Sequence, residues 1–227
     1  MIIIKRLNIF VDETGEFGCE EGTSELYGVS FTFHEHDKSI KNELNDLNNR
    51  LNIIGYTDMI HMADLVMKRG DYSSFSIGKR KMIFKAIYHF TRKVDVKYTS
   101  LFVDKRYIDN KHSLKQQLSI AINILVNDNI DYFNHFDQII MYYDNGQEDL
   151  ATILESIFYR FDGFEHRVEF DHVEKRLFQV SDMLTFVDKY IYKYNNKIEL
   201  TKGEQFFFSS TEMRKINKEL SKKRFNN

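Results

Sequence analysis

The chain has 227 residues, a net charge of -2 from 32 Lys and Arg against 34 Asp and Glu, and a 42% hydrophobic share. That is material for one packed domain with a short tail, and it excludes a disordered chain or a global pull towards nucleic acid. No run nears the roughly 18 apolar residues of a membrane helix, and one cysteine, Cys19, excludes an internal disulfide and implies a reducing, cytoplasmic setting.

Residues 7–12 (LNIFVD) and 25–33 (ELYGVSFTF) are rich in β-formers, and Gly15, Gly18 and Gly22 lie between them. They predict neighbouring antiparallel strands. The stretch 37–50 predicts a polar helix with a thin apolar stripe, and 53–73 reads as irregular, with IHMADLVMKRGDY at its centre. Over 76–93, Met82, Ile83, Ala86, Ile87 and Phe90 recur with helical spacing. KYTSLFVD (97–104) predicts a strand, 113–127 a helix, and FDQIIMYYD (136–144) a strand covered on both faces. A helix follows at 147–161, then a short strand at 167–171 and a helix at 177–194. Alternation of this kind indicates an α/β fold with a mixed sheet flanked by helices. Ser209, three residues before Glu212, opens a further basic helix over 209–224. The expected organisation is a domain over 1–200 and a C-terminal basic helical tail over 201–227.

Three expected strands end alike, in Phe10-Val11-Asp12, Phe102-Val103-Asp104 and Tyr142-Tyr143-Asp144. Carboxylates at the carboxyl ends of strands in an open α/β sheet can face a crevice. They also form turns and cap helices, and Asp144 in DNGQ suits a turn equally well. On the helix at 177–194, Phe178 and Phe186 lie one turn before and after Asp182, with Gln179 beside it. A carboxylate in so apolar a setting needs a partner. Two are available: Lys189, as a buried ion pair, or a divalent cation shared with the strand-end acids. Converging carboxylates suit Mg²⁺ or Mn²⁺, as one or two ions. No CxxC or comparable set supports zinc.

VDETG after the first strand, IHMADL, YYDNG after a later strand and FQVSDML near the end together resemble a bacterial and phage family catalogued as domain of unknown function 3800. The resemblance spans roughly residues 7 to 195. It implies a ribonuclease-H-like fold, nuclease activity and metal binding by Asp12, Asp144 and Asp182. Glu13 matches the second acid of the family's pair, as a fourth ligand or an outward neighbour. Thr14 stands where the family has Ser, and Gln179-Val180-Ser181-Asp182 replaces the commoner QLAD; neither change removes a carboxylate.

Several accessory roles follow as expectations. His61, in IHMADL, would assist proton transfer or be an exposed neighbour of Asp64. Gln179 would support Asp182. Asp104 and Lys105 would be structural or touch substrate. Lys79, Arg80, Lys81 and Lys85 would track a phosphate backbone or form an ordinary solvated face. The functional expectation is a metal-dependent nuclease acting on DNA or RNA. Its competitor is a ribonuclease-H-like module that binds nucleic acid or a protein partner without cutting.

Overall fold

The apolar run after Lys5 becomes β1 (Arg6–Thr14), the middle strand of a five-stranded sheet. The structure is a computed structural model and describes residues 4–20 and 22–225; the first three residues of the expected domain and the last two of the expected tail lie outside these. β2 (Leu26–Glu35) returns antiparallel to β1, setting Asn8 opposite His34 and Asp12 opposite Ser30. Helices α1 (Lys41–Ile54), α2 (Met62–Met67) and α3 (Ile77–Lys93) lead to β3 (Lys97–Asp104), which pairs antiparallel with β2. α4 (Lys111–Asp128) and the single turn α5 (Ile130–Phe133) carry the chain to β4 (Gln138–Tyr142), parallel to β1. α6 (Glu148–Phe158) then crosses to β5 (Phe164–Arg167), parallel to β4. The order is β3-β2-β1-β4-β5. Three antiparallel strands extended by two parallel ones make the expected mixed sheet, flanked by helices.

The period of two along β1 divides the interior. Leu7, Ile9 and Val11 pack towards α4 and α6, whereas Phe10 packs on the other side with α1, α3 and α7 (His172–Asn195). Asp12 shares the parity of Phe10 and so lies on the α7 side; Glu13 shares that of Val11. From Arg176 to Asp188 every α7 residue is buried except Asp182, which is half-buried. Phe178 and Phe186, the apolar residues read around Asp182, therefore find cover, as do Val180, Leu184 and Val187 on the other side of the helix.

Two boundaries differ from expectation. The strand expected at 167–171 lies at 164–167, and α7 begins at 172 rather than 177. Asp171 accepts from the Val173 and Glu174 amides, at 2.7 and 2.8 Å, and Glu174 answers to the Asp171 amide at 2.8 Å. That reciprocal cap outweighs the β propensity of RVEFD. The irregular stretch 53–73 also holds α2 and a turn of 3₁₀ helix at Gly70–Tyr72.

The expected boundary at 200 is not a break in packing. α8 (Lys202–Phe207) and α9 (Ser210–Leu220) bury Phe207, Phe208, Met213 and Leu220 in the same core as α3 and α7. The basic residues of α9 hide an apolar stripe, Met213, Ile216 and Leu220, at helical spacing. Past α9, Lys223 Nζ donates to the Val94 carbonyl at 2.6 Å, and Arg224 pairs with the buried Asp188 at 2.7 Å. Much of the expected basic tail is thus structural. Removing one partner of such a pair leaves the other charge stranded. Arg224→Ala should lower the urea midpoint by the equivalent of about 2 kcal/mol, discounted because the arginine is partly solvated. Asp188→Asn in the same background should recover part of the loss. Among the described residues no helix is long and apolar enough to cross a membrane.

Candidate functional site

At the carboxyl end of β1 the chain turns through Gly15, at φ +90°, where an added Cβ would stand 2.4 Å from the Leu26 carbonyl oxygen. Only glycine fits both the conformation and the approach. Just before this tight exit, Asp12 and Glu13 stand on opposite faces of the sheet.

Asp12 lies against Asp182 and Thr185 of α7. Burial, and next the charge of Asp182, hold the Asp12 carboxyl well above the ordinary carboxylate range; a hydrogen bond from Thr185 pulls the other way. Burial likewise raises Asp182 to about 6, opposed by the Met62 amide and by His61. That amide, the first of α2, donates to Asp182 Oδ2 at 2.8 Å. IHMADL therefore meets FQVSDML through a backbone donor at a helix start, where an anion is favoured. His61 is exposed and near enough to influence Asp182, while Asp64 pairs with Arg69 at 3.2 Å.

Glu13 faces Tyr143. Burial, followed by the charge of Asp144, pushes its carboxyl up to about 7, with a hydrogen bond from Tyr143 in opposition. Asp144 is exposed at the lip beyond β4, and its Oδ1 accepts from the Gly146 amide at 3.1 Å. A Cβ at position 146 would come within 2.6 Å of Glu13 Oε1 and 3.3 Å of Asp144 Oδ1, so glycine there lets the two acids approach. Gln147 Nε2 donates to the Gly15 carbonyl at 2.9 Å and ties this turn to the β1 exit.

The structure thus gathers Asp12 with Asp182, and Glu13 with Asp144, at one end of the sheet. Asp12 also feels Glu13 and Asp144. None of the four has an ion-pair partner among the described residues. The buried Lys189–Asp182 pair does not form, because Lys189 Nζ donates to Thr14 Oγ1 at 2.8 Å instead. Also among the described residues, no group of three or more His, Cys, Asp or Glu stands close enough to hold a metal ion. The acids converge as two pairs, not as a closed cage.

Several accessory expectations take structural roles. Lys105 is buried, and its ammonium donates to the Glu16 and Gly18 carbonyls at 3.0 and 2.5 Å and to Thr23 Oγ1 at 3.3 Å. It clasps the β1–β2 loop and acts on Glu13 and Asp12 only through that loop. Lys105→Met should speed amide hydrogen exchange over 15–24 while leaving β4 and α7 protected. Asp104 is held by Arg106 at 2.6 Å and caps the turn after β3. Gln179 is buried, with Oε1 accepting from Arg176 at 3.0 Å and Nε2 on the Met59 sulfur at 2.9 Å. It fastens α7 to the loop before α2.

The basic run of α3 does not present a uniform face. Arg80 is 3% exposed and donates to the Leu65 and Val66 carbonyls at the end of α2, at 2.8 and 2.9 Å. Lys79 lies over Phe75 and reaches the Gly55 carbonyl, and Lys81 pairs with Glu212 at 3.5 Å. Lys85 alone of the four is exposed. The missing signal was three-dimensional: Lys79, Arg80 and Lys81 meet the ends of α1, α2 and α9, whose positions beside α3 the sequence does not give.

Beside the acids runs a cleft of about 490 Å³ between the β1–β2 loop, α2, α7 and α8. Lys189 lines it and links it, through Thr14, to the end of β1. Its charge is mixed, with Arg69, Lys189 and Lys193 against Glu16, Glu25, Glu199 and Glu204.

No family model matches the chain, and no curated protein matches it. Among solved structures it is similar to a chain in the PCNA:RNase HII complex from Archaeoglobus fulgidus, at 17% identity and a TM-score of 0.38, over 95% of this chain and 89% of that one.

Proposed function

We propose that this chain is a metal-dependent nuclease of the domain of unknown function 3800 type, cleaving phosphodiester bonds of DNA or RNA. One observation carries the reading: Asp12 and Glu13 are drawn against Asp182 and Asp144, and none of the four has an ion-pair partner among the described residues. Like charges gathered where water is scarce oppose folding, and a divalent cation is the partner that removes the cost. The donors suit Mg²⁺ or Mn²⁺ in kind, being hard carboxylate oxygens without a thiolate or imidazole set. Asp12 and Asp182 would hold the ion, Asp144 would join from the lip, and Glu13 would assist. Asp144 is exposed, so turning its carboxylate inwards costs little beyond the hydrogen bond to Gly146. Bound there, the ion supplies an activated water and neutralises charge developing on the phosphoryl group.

The rest of the chemistry falls to the chain. The Met62 amide fixes the Asp182 carboxylate. Lys105 and Gln147 hold the loops that flank the β1 exit. His61, exposed and near Asp182, would pass a proton to a departing oxygen.

A second reading, a ribonuclease-H-like module that binds nucleic acid or protein without cutting, is favoured by the acids standing as two pairs. Single- and double-stranded DNA and RNA incubated with Mn²⁺ or with EDTA separates the two. Cleavage in Mn²⁺ that EDTA abolishes is the expected result. Binding without cleavage in Mg²⁺, Mn²⁺ or any other divalent ion would establish the module.

A further inference from the structure

The two edges of the sheet are treated differently. At β3 the end of the chain covers the edge: Arg224 bridges to Tyr98, and the Phe225 amide donates to the Tyr98 carbonyl at 2.7 Å. At the other edge β5 pairs with β4, and among the described residues no strand or bridge lies on its outer side. The Gly163 and Arg167 carbonyls turn inwards, accepting from the Ile139 and Tyr143 amides at 3.3 and 3.2 Å. Alternation along the strand therefore turns the backbone groups of His166, and the Phe164 carbonyl, outwards. Such an edge is a template for another strand. Apolar surface flanks it: Tyr159, 82% exposed, stands edge-on to the Phe164 ring, and Val168 is 49% exposed.

Which strand fits follows from the order Phe164-Glu165-His166-Arg167-Val168. Phe164 and His166 lie on the α6 side of the sheet, where His166 meets Tyr143 and Glu155. Glu165 and Arg167 lie on the α7 side and pair with each other at 2.6 Å, both partly exposed. Two copies related by a twofold axis perpendicular to the sheet would pair antiparallel, like face with like face. With the axis at His166, Glu165 of each copy faces Arg167 of the other, and Phe164 faces Val168. Moving the axis one residue back sets Glu165 against Glu165. Moving it one residue on sets Arg167 against Arg167 and Glu165 against Glu169. One register is attractive and both its neighbours are repulsive.

We propose that the outer edge of β5 is the contact for a second copy of this chain, an antiparallel β5–β5 pairing centred on His166 that joins the two sheets into one. The His166 amide and carbonyl of each copy bond to those of the other across the axis, and Phe164, Val168 and Tyr159 lose contact with water. The charges are solvated, so they fix the register more than the affinity. This surface is separate from the acids and leaves the two acid clusters open, at opposite ends of the joined sheet.

Sedimentation equilibrium on the full chain tests it. The wild type should dimerise with a Kd of about 10–100 µM, as a short interface allows. Glu165→Arg and Arg167→Glu should each weaken association at least about tenfold. Mixed in equal amounts, the two variants should form a heterodimer within about threefold of the wild-type affinity, because every pair across the axis is then opposite in charge. Within each variant chain positions 165 and 167 still carry like charges, so recovery on mixing reports the contact and not folding. Val168→Lys, outside the strand and exposed, should weaken the dimer severalfold with circular dichroism unchanged. A wild type that stays monomeric up to about 0.5 mM would overturn the proposal and leave the edge to a strand of another protein. So would a dimer indifferent to both charge reversals, or variants that stay apart when mixed.

Discussion

Asp12→Asn and Asp182→Asn should each reduce Mn²⁺-dependent cleavage about a hundred- to a thousandfold, with far-ultraviolet circular dichroism unchanged. These two carboxylates meet across the β1–α7 contact, and each is held up by its surroundings. An amide keeps the shape and the hydrogen bonds from Met62 and Thr185 but removes the charge that binds a cation. Asp104→Asn is the internal control. Asp104 has the same strand-end setting, yet Arg106 already neutralises it at 2.6 Å, so cleavage should stay within about twofold of wild type. Glu13→Gln and Asp144→Asn should fall between, because these acids stand on the far face and at the lip. Equal losses at Asp104 and Asp12 would show that the assay reports folding and not the site.

The second large effect is on stability without metal. Glu13 is raised from 4.5 to about 7 and Asp182 from 3.8 to about 6, both by burial first. Between the unfolded and folded values, the folded chain holds protons that the unfolded chain has released. Stability therefore falls as pH rises through this window, and the penalty is complete above about 7. Each pKa unit is worth about 1.4 kcal/mol, so Glu13 alone accounts for about 3 kcal/mol at pH 8. In EDTA the wild type should melt several degrees lower at pH 8 than at pH 5.5. Glu13→Gln should melt higher than wild type at pH 8 and equal to it near pH 4.5. Saturating Mn²⁺ should flatten the wild-type profile, since a bound cation replaces the missing countercharge. A gap between wild type and Glu13→Gln that does not change with pH would refute the electrostatic account.

Much of this architecture was legible in the sequence because periodicity and strand endings are local properties. β3 falls at 97–104 as expected, α3 begins one residue from its expected start, and Asp12 and Asp182 lie together. What was not legible depends on long-range partners. Arg80 reads as a phosphate ligand or a solvated cation until the end of α2 lies beneath it, and the choice for Lys105 between a structural role and substrate contact stays open until the β1–β2 loop folds over it. Lys189 is the subtler case: helical spacing places it near Asp182, but its ammonium donates to Thr14, so no ion pair with the acid forms. Gly146 could have been noticed, since DNGQ combines a turn with a residue lacking Cβ. Its purpose, room for Glu13, appears only in three dimensions. The tail misled because charge masked the stripe of Met213, Ile216 and Leu220.

Manganese added to crystals of the protein, followed by diffraction at the manganese absorption edge, addresses the central claim most directly. An anomalous peak within about 2.2 Å of carboxylate oxygens from both Asp12 and Asp182, absent in Asp182→Asn crystals, is the result expected. Clear density for both carboxylates at saturating Mn²⁺, with no anomalous peak between them, would contradict it.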